Sequence, residues 1–285
     1  MKVIQNLEEM QAAAESIRRE GKRIGFVATM GFLHEGHLSL VRAAQAECEI
    51  VVVSIFVNPT QFGPAEDFDR YPTDLDRDRQ LLEEEAIDIL FAPAKADLYP
   101  EGFSTELQVT GLTDELCGAS RPWHFPGVAT IVCKLFHLVR PDVAWFGQKD
   151  YQQALVIKRM VTDLDFGIEI WVGPTIREPD GLAVSSRNEY LSEEERKQAT
   201  VLVQALLAAN QDYLEGERSS TALRSRLREV LAGSHLARVD YAEVVDAETL
   251  RPMKEITGKA AALVAVFFGD TRLIDNHLLG DPGPV

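Results

Sequence analysis

The chain has 285 residues, 46% hydrophobic and 26% charged, an ordinary balance for a globular protein that buries a core. Its 45 acidic residues outweigh 29 Lys and Arg, and a net charge of −16 argues against nucleic acid as the main ligand, because backbone binding needs clustered cations. Three widely spaced cysteines without a CxxC pair indicate neither a disulfide framework nor a zinc site, no apolar run approaches the roughly 18 residues of a membrane span, and Met1 to Glu20 lack a signal-peptide core. The expectation is a cytoplasmic enzyme or binding protein of about two domains, with no membrane partner.

Leu7, Met10, Ala14 and Ile17 recur at helical spacing and predict a helix over 6–20, stopped by Gly21. Residues 24–29 read as the first strand. The turn Met30-Gly31-Phe32-Leu33-His34-Glu35-Gly36-His37 opens a helix running through Leu38, Val41 and Ala44 toward Cys48. Residues 50–57 form a near-continuous β-branched run, which suits a parallel strand buried on both faces. Strand, helix and strand at this spacing make a βαβ unit with a right-handed crossover. Residues 58–64 are a loop at the carboxyl end of the second strand, where open α/β sheets bind ligands. Asn58 and Gln61 there are either substrate contacts or plain turn chemistry.

A charged helix is predicted over 75–85 and a strand over 87–92. Residues 93–127 read as irregular, with one short strand over 106–110; a loop of that length is more often functional than filler. There follow an amphipathic helix over 128–139, a buried strand over 142–146 and the turn Gly147-Gln148-Lys149-Asp150. A helix from Tyr151, with Gln152 and Gln153 in its first turn, leads to a strand over 168–172. This alternation is the pattern of a doubly wound parallel sheet over 1–175. Beyond it come a turn at 178–181, a polar loop at 184–188, and Ser192 with Glu195 as a capping box for one long helix through Asn210. A second helix over 221–231, strands over 239–245 and 261–268, and a Gly/Pro-rich tail complete a small α+β domain over 176–285.

The chemistry-bearing residues cluster in loops that such a sheet gathers at its carboxyl edge. His34 and His37 share one helix face at a helix N-terminus, whose free N–H groups and dipole suit phosphate. Their spacing is not that of HExxH, so phosphate contact and charge stabilisation fit them better than metal ligation. Lys149 is either a solvated surface lysine or, in its Gly-x-Lys-Asp context, a phosphate clamp. Asp150 suits a phosphate-bound Mg²⁺, and Arg187 could close over phosphate from the second domain. Neither a Walker P-loop nor GxGxxG is present, which argues against a P-loop ATPase and a nicotinamide dehydrogenase.

Residues Thr29 to His37 resemble the HxGH motif of the nucleotidyltransferase superfamily. Taken with Val57-Asn58-Pro59-Thr60-Gln61-Phe62, Tyr71-Pro72, residues 118–127, residues 146–153 and residues 180–188, the resemblance narrows to the pantoate–β-alanine ligase family and spans essentially the whole chain. It implies a Rossmann-like fold, a homodimer, and a two-step ligation: the pantoate carboxylate attacks the α-phosphorus of Mg·ATP, giving pantoyl-adenylate and pyrophosphate, and β-alanine then displaces AMP. It also implies roles. His37 would be the proton donor, and His34 and Lys149 would hold the transition-state phosphates. Met30, Gly31, Phe32, Leu33, His34, Glu35, Gly36 and His37 would bind ATP, together with Gly147, Gln148, Lys149, Asp150, Ile176, Val184, Ser185, Ser186 and Arg187. Gln61 and Gln153 would hold pantoate, Asn58 would lie near the β-phosphate and metal, and Tyr71 and Arg121 near the pantoate and β-alanine pocket. Ala28 stands where the family commonly has proline, and Trp123 where it often has glycine. Two other readings share the HxGH turn: adenylyl transfer to another metabolite, and a non-catalytic nucleotide-binding regulator. No cysteine or serine nucleophile is evident, so positioning and charge stabilisation should carry the rate.

Overall fold

The computed structural model of the chain describes residues 1–64 and 66–282. The elements run β1 (Lys2–Ile4), α1 (Leu7–Arg19), β2 (Ile24–Thr29), α2 (Glu35–Glu47), β3 (Ile50–Ile55), α3 (Leu75–Glu84), β4 (Ile89–Phe91), α4 (Lys95–Leu98), α5 (Cys117–Ser120), α6 (His124–Val139), β5 (Val143–Gly147), α7 (Tyr151–Asp163) and β6 (Glu169–Gly173). Then follow α8 (Glu193–Gln198), α9 (Val201–Leu214), α10 (Ser220–Leu231), β7 (Ala237–Asp246), β8 (Ala260–Phe268) and β9 (Thr271–Leu278).

The first six strands form one parallel sheet in the order β1-β4-β3-β2-β5-β6. Successive side chains of a strand point to opposite faces, and here both faces are covered. Phe26, Val52, Phe91 and Phe146 pack with α1, α6 and α7, whereas Val27, Val51, Leu90 and Trp145 pack with α2 and α3. From β2 the chain winds outward to β3 and β4, then returns to β5 on the other side of β2. The reversal between β2 and β5 is a topological switch point, the place where such sheets leave a crevice.

The last three strands make a separate antiparallel sheet, β7-β8-β9. One face packs under α9 and α10 through residues such as Leu206, Leu227 and Val264. Leu263 and Val245, on the other face, join the core beneath α6 and α7. This sheet therefore sits directly against the carboxyl edge of the parallel one.

The fold differs from the sequence reading in six places. The stretch 93–127, read as irregular apart from one strand, carries the short helices α4 and α5. β1 is too short to show a pattern, yet Ile4 is fully buried and pairs with Phe91. Residues 106–110 form no strand, because the Leu107 amide bonds the Thr130 hydroxyl instead of a neighbouring ladder. α6 starts at His124, ahead of the start at Val128 that the sequence reading gives. The helix predicted through Asn210 is two, α8 and α9, broken at Ala199–Thr200, where the Thr200 hydroxyl bonds the Lys197 carbonyl. The Ser192–Glu195 capping box is present as expected. β9 escapes the sequence reading because Asp275, Asn276 and His277 hide its apolar alternation, although Gly269-Asp270 before it is a two-residue hairpin signal. The Gly/Pro-rich tail beyond residue 282 lies outside the described residues.

Candidate active site

A cavity of about 940 Å³ opens at the β2/β5 switch point and is roofed by the second sheet. Its first wall is the turn after β2. Thr29 ends the strand with its hydroxyl donating to the Ser54 carbonyl and accepting the Gly31 amide. Gly31 then takes φ +85° and Phe32 φ +50°, the left-handed region that reverses the chain. A β-carbon on Gly31 would press Asp78 at 2.9 Å and Ile55 at 3.0 Å. The buried Asp78 carboxylate, on α3, accepts the Phe32 and Leu33 amides, each at 2.7 Å.

The turn delivers His34 to the N-cap of α2. Its ring stacks on that of His37, with centroids 4.0 Å apart. Gly36 allows this, since a β-carbon there would meet the His34 ring at 3.0 Å. His37 Nδ1 accepts the His34 amide at 3.4 Å, so the proton of a neutral His37 sits on Nε2. Burial, with help from Lys149, lowers the His34 pKa to about 4 and holds that of His37 well below its usual 6.5. Both rings are therefore neutral in the free protein at neutral pH, available as N–H donors and not as standing cations.

The opposite wall is the turn after β5. Residues Gln148–Asp150 form a single 3₁₀ turn that leads into α7. Lys149 is mostly buried, and its nearest anion is Asp150 at 4.0 Å. The floor comes from the loop after β3. Asn58 is almost fully buried and internally satisfied: it donates to Gln61 Oε1 and the Gly127 carbonyl, and accepts from Thr60 and Tyr99. It positions Gln61, whose Nε2 lies 3.0 Å from Met30 Sδ. Gln152 likewise turns inward to hold residues 112–117, which leaves Gln153 to face the cavity.

The rim is made by ion pairs. Arg121 binds Glu66 and the Gln61 carbonyl, while Trp123 lies over Gly63 and donates to Glu66. Arg187 binds Asp67 with two hydrogen bonds, and Tyr71 meets the Ser186 hydroxyl at 3.1 Å. Tyr190 reaches the Arg70 carbonyl. The Ser185–Arg187 loop is thus already folded over the 66–71 segment.

The cavity brings together Met30, His34, Gly36, His37, Asn58, Gln61, Tyr71, Arg121, Gly147, Lys149, Asp150, Gln153, Ile176, Val184, Ser185, Ser186 and Arg187, from distant parts of the chain. Gly31, Phe32, Leu33, Glu35 and Gln148 do not line it. The first three form the turn behind the histidines, and the exposed Glu35 faces away to pair with Arg42. Asp78, Glu66, Asp67 and Asn276 were not singled out from sequence: each acts on a backbone or cation far away in the chain, and no local pattern marks such partners. Among the described residues no group of three or more His, Cys, Asp and Glu could hold a metal ion, and no helix is long and apolar enough to cross a membrane.

The doubly wound sheet, the HxGH turn at its switch point and the three-stranded sheet above it define a Rossmann-like chain of the HxGH nucleotidyltransferase type. The chain belongs to the pantoate–β-alanine ligase family, whose model matches residues 2–278. It is 53% identical over 280 residues to the pantothenate synthetase of Thermotoga petrophila, covering 98% of this chain and 100% of that one. The pantothenate synthetase of Moorella thermoacetica is 52% identical over 279 residues, covering 98% and 99%. Among solved structures, the pantothenate synthetase of Thermus thermophilus superposes with a TM-score of 0.93 at 49% identity, covering 98% and 99%. The Francisella tularensis pantoate-β-alanine ligase, solved in complex with β-γ ATP and β-alanine, superposes with a TM-score of 0.80 at 32% identity over all of both chains.

Proposed function

We propose that this chain condenses pantoate with β-alanine at the expense of ATP, through pantoyl-adenylate, releasing pyrophosphate and AMP. The observation that carries this reading is one cavity in which the His34/His37 pair and Lys149 face each other across the β2/β5 switch point, with Gln61 and Gln153 beside them. The first group suits a triphosphate and the second a small hydroxy acid.

A pantoate carboxylate oxygen attacks the α-phosphorus, the bond to the β-phosphate oxygen breaks, and pyrophosphate leaves. Negative charge grows on the departing phosphates, where His34, His37 and Lys149 donate hydrogen bonds. The triphosphate itself stabilises protonated imidazole, so ATP binding raises the depressed histidine pKa values and readies the His37 Nε2 proton. In the second step the β-alanine amine attacks the acyl carbon, AMP departs with the bonding pair, and the amine loses a proton. Gln61 and Gln153 hold pantoate in both steps, Tyr71 and Arg121 border the amine's approach, and Asn58 acts through Gln61. Ile176, Val184, Ser185, Ser186 and Arg187 cover the nucleotide.

Asp150 is the carboxylate offered to a cation, and its side chain is about half exposed. A lone carboxylate beside a phosphate-binding lysine fits Mg²⁺ carried mainly by the triphosphate and water. Such an ion would neutralise phosphate charge during transfer.

We assign residues 1–175 to an ATP- and pantoate-binding domain and 176–285 to a lid domain, divided after β6. The exposed edge of β6, with Trp171 43% exposed, fits pairing with a second copy in a homodimer. Dependence on ATP and the three free thiols fit a cytoplasmic setting. The test supplies ATP, Mg²⁺ and pantoate with and without β-alanine, following AMP and pantothenate. The ligase forms both only with the complete set. An adenylyltransferase for another metabolite would form no AMP, and a regulator would release no pyrophosphate with any acid.

A further inference from the structure

Lys149 sits on a turn of three residues between a strand and a helix, and such a turn does not by itself fix a long side chain. The fixing contact comes from the far end of the chain. Asn276, toward the carboxyl end of β9 and 3% exposed, donates through Nδ2 to the Gln148 carbonyl at 2.8 Å and the Lys149 carbonyl at 3.0 Å. One amide group thus clamps two consecutive carbonyls of the turn. Its Oδ1 has no hydrogen-bond partner among the described residues. What Asn276 adds over an apolar residue is the pair of donors.

The neighbouring residue faces the other phosphate-side loop. Asp275 accepts two hydrogen bonds from Arg177, at 2.6 and 3.0 Å, and Arg177 also holds the Gly181 carbonyl. That hairpin leads straight into Ser185 and Arg187, its Val184 amide bonded to the Ile176 carbonyl. Asp275 and Asn276 therefore set the two turns from a single rigid strand.

We propose that Asn276 is a positioning residue for Lys149, acting from the second sheet on the turn that aims the ammonium at the transferring phosphates. This rests on the phosphate role of Lys149 given above. The test is a cycle of four proteins (wild type, Asn276→Ala, Lys149→Ala and the double variant), each measured for pyrophosphate release with saturating ATP and pantoate, and for thermal midpoint. Asn276→Ala is expected to lower kcat about 10-fold or more while the KM for pantoate stays unchanged, as for a misplaced catalytic group. In the Lys149→Ala background the same change should lower kcat no further, yet lower the thermal midpoint as much as before. Asn276→Ser, which keeps one donor, should fall between and replaces Asn276→Ala if that variant does not fold. An equal drop in kcat in both backgrounds, or wild-type kcat in Asn276→Ala, overturns the proposal. A Lys149→Ala enzyme with wild-type kcat would instead remove the phosphate role on which it rests.

Discussion

The Asp78 carboxylate accepts the Leu33 amide at 2.7 Å, and so α3 holds the turn that presents both histidines. With the Phe32 amide on its other oxygen, Asp78 offsets two positive-φ residues in a row. Burial raises its pKa above the usual carboxylate value, and the two amide hydrogen bonds offset part of that rise. Asp78→Asn turns one acceptor into a donor facing an N–H. It should cost about 1.5–3 kcal/mol in urea unfolding, the range for a hydrogen bond to a charged group, and should raise the KM for ATP. A wild-type urea midpoint and KM would show that the carboxylate does not hold the turn.

Each of His34→Ala, His37→Ala and Lys149→Ala should lower kcat by about 10²–10³, the effect of deleting one transition-state donor. The two histidine losses should not add, because the rings stack at 4.0 Å and each supports the other. Single-turnover pyrophosphate release reads this directly. Near-normal rates in all three variants would take these groups out of the mechanism.

A covalent route through a thiol is disfavoured at Cys48, where burial pushes the pKa up to about 11. Cys48→Ser should keep the wild-type kcat. Loss of activity in a variant that still melts cooperatively at the wild-type temperature would reopen the covalent route.

The sequence showed the parallel sheet clearly, because strands buried on both faces, such as β3, read as unbroken β-branched runs. It also showed which loops meet, since β2, β3 and β5 all end in glycine- or proline-marked turns on one edge. Contacts made for a distant backbone were not legible. Asn58 read equally as a substrate contact or as turn chemistry, and no local pattern announced that its amide donates to Gly127 and Gln61. Asn276 carries no mark in the sequence, yet it clamps two carbonyls 127 and 128 residues away. A polar residue whose partner lies far along the chain gives no period to detect.

Acid should weaken the fold through three imidazoles. His34 is held down to about 4 and His124 to about 3, both mainly by burial, and His37 lies well below 6.5. Below pH 6.5 the unfolded chain therefore takes up protons that the folded chain refuses, so stability rises with pH across this window and is lost as pH falls. Each ring adds up to about 1.4 kcal/mol per pH unit. Urea midpoints from pH 8 to pH 5 should fall less steeply for His124→Gln than for wild type, and a bound non-hydrolysable ATP analogue should also flatten the curve. Parallel curves for variant and wild type would place the acid sensitivity elsewhere.

Trp123 and Gly63 form a pair at the rim. A β-carbon at Gly63 would overlap the Trp123 indole, which lies flat on the glycine and donates to Glu66 at 3.3 Å. Glu66 is also the partner of Arg121, so the indole braces the ion pair that borders the acid pocket. Gly63→Ala should then displace the indole and cost about 1–3 kcal/mol, as overpacking does. The KM for pantoate should rise with it, because Glu66 shifts with the ring. In a Trp123→Gly background the same alanine no longer meets the indole and should cost much less in both readouts. Equal losses in the two backgrounds would mean that Gly63 is required by its own backbone and not by the tryptophan above it.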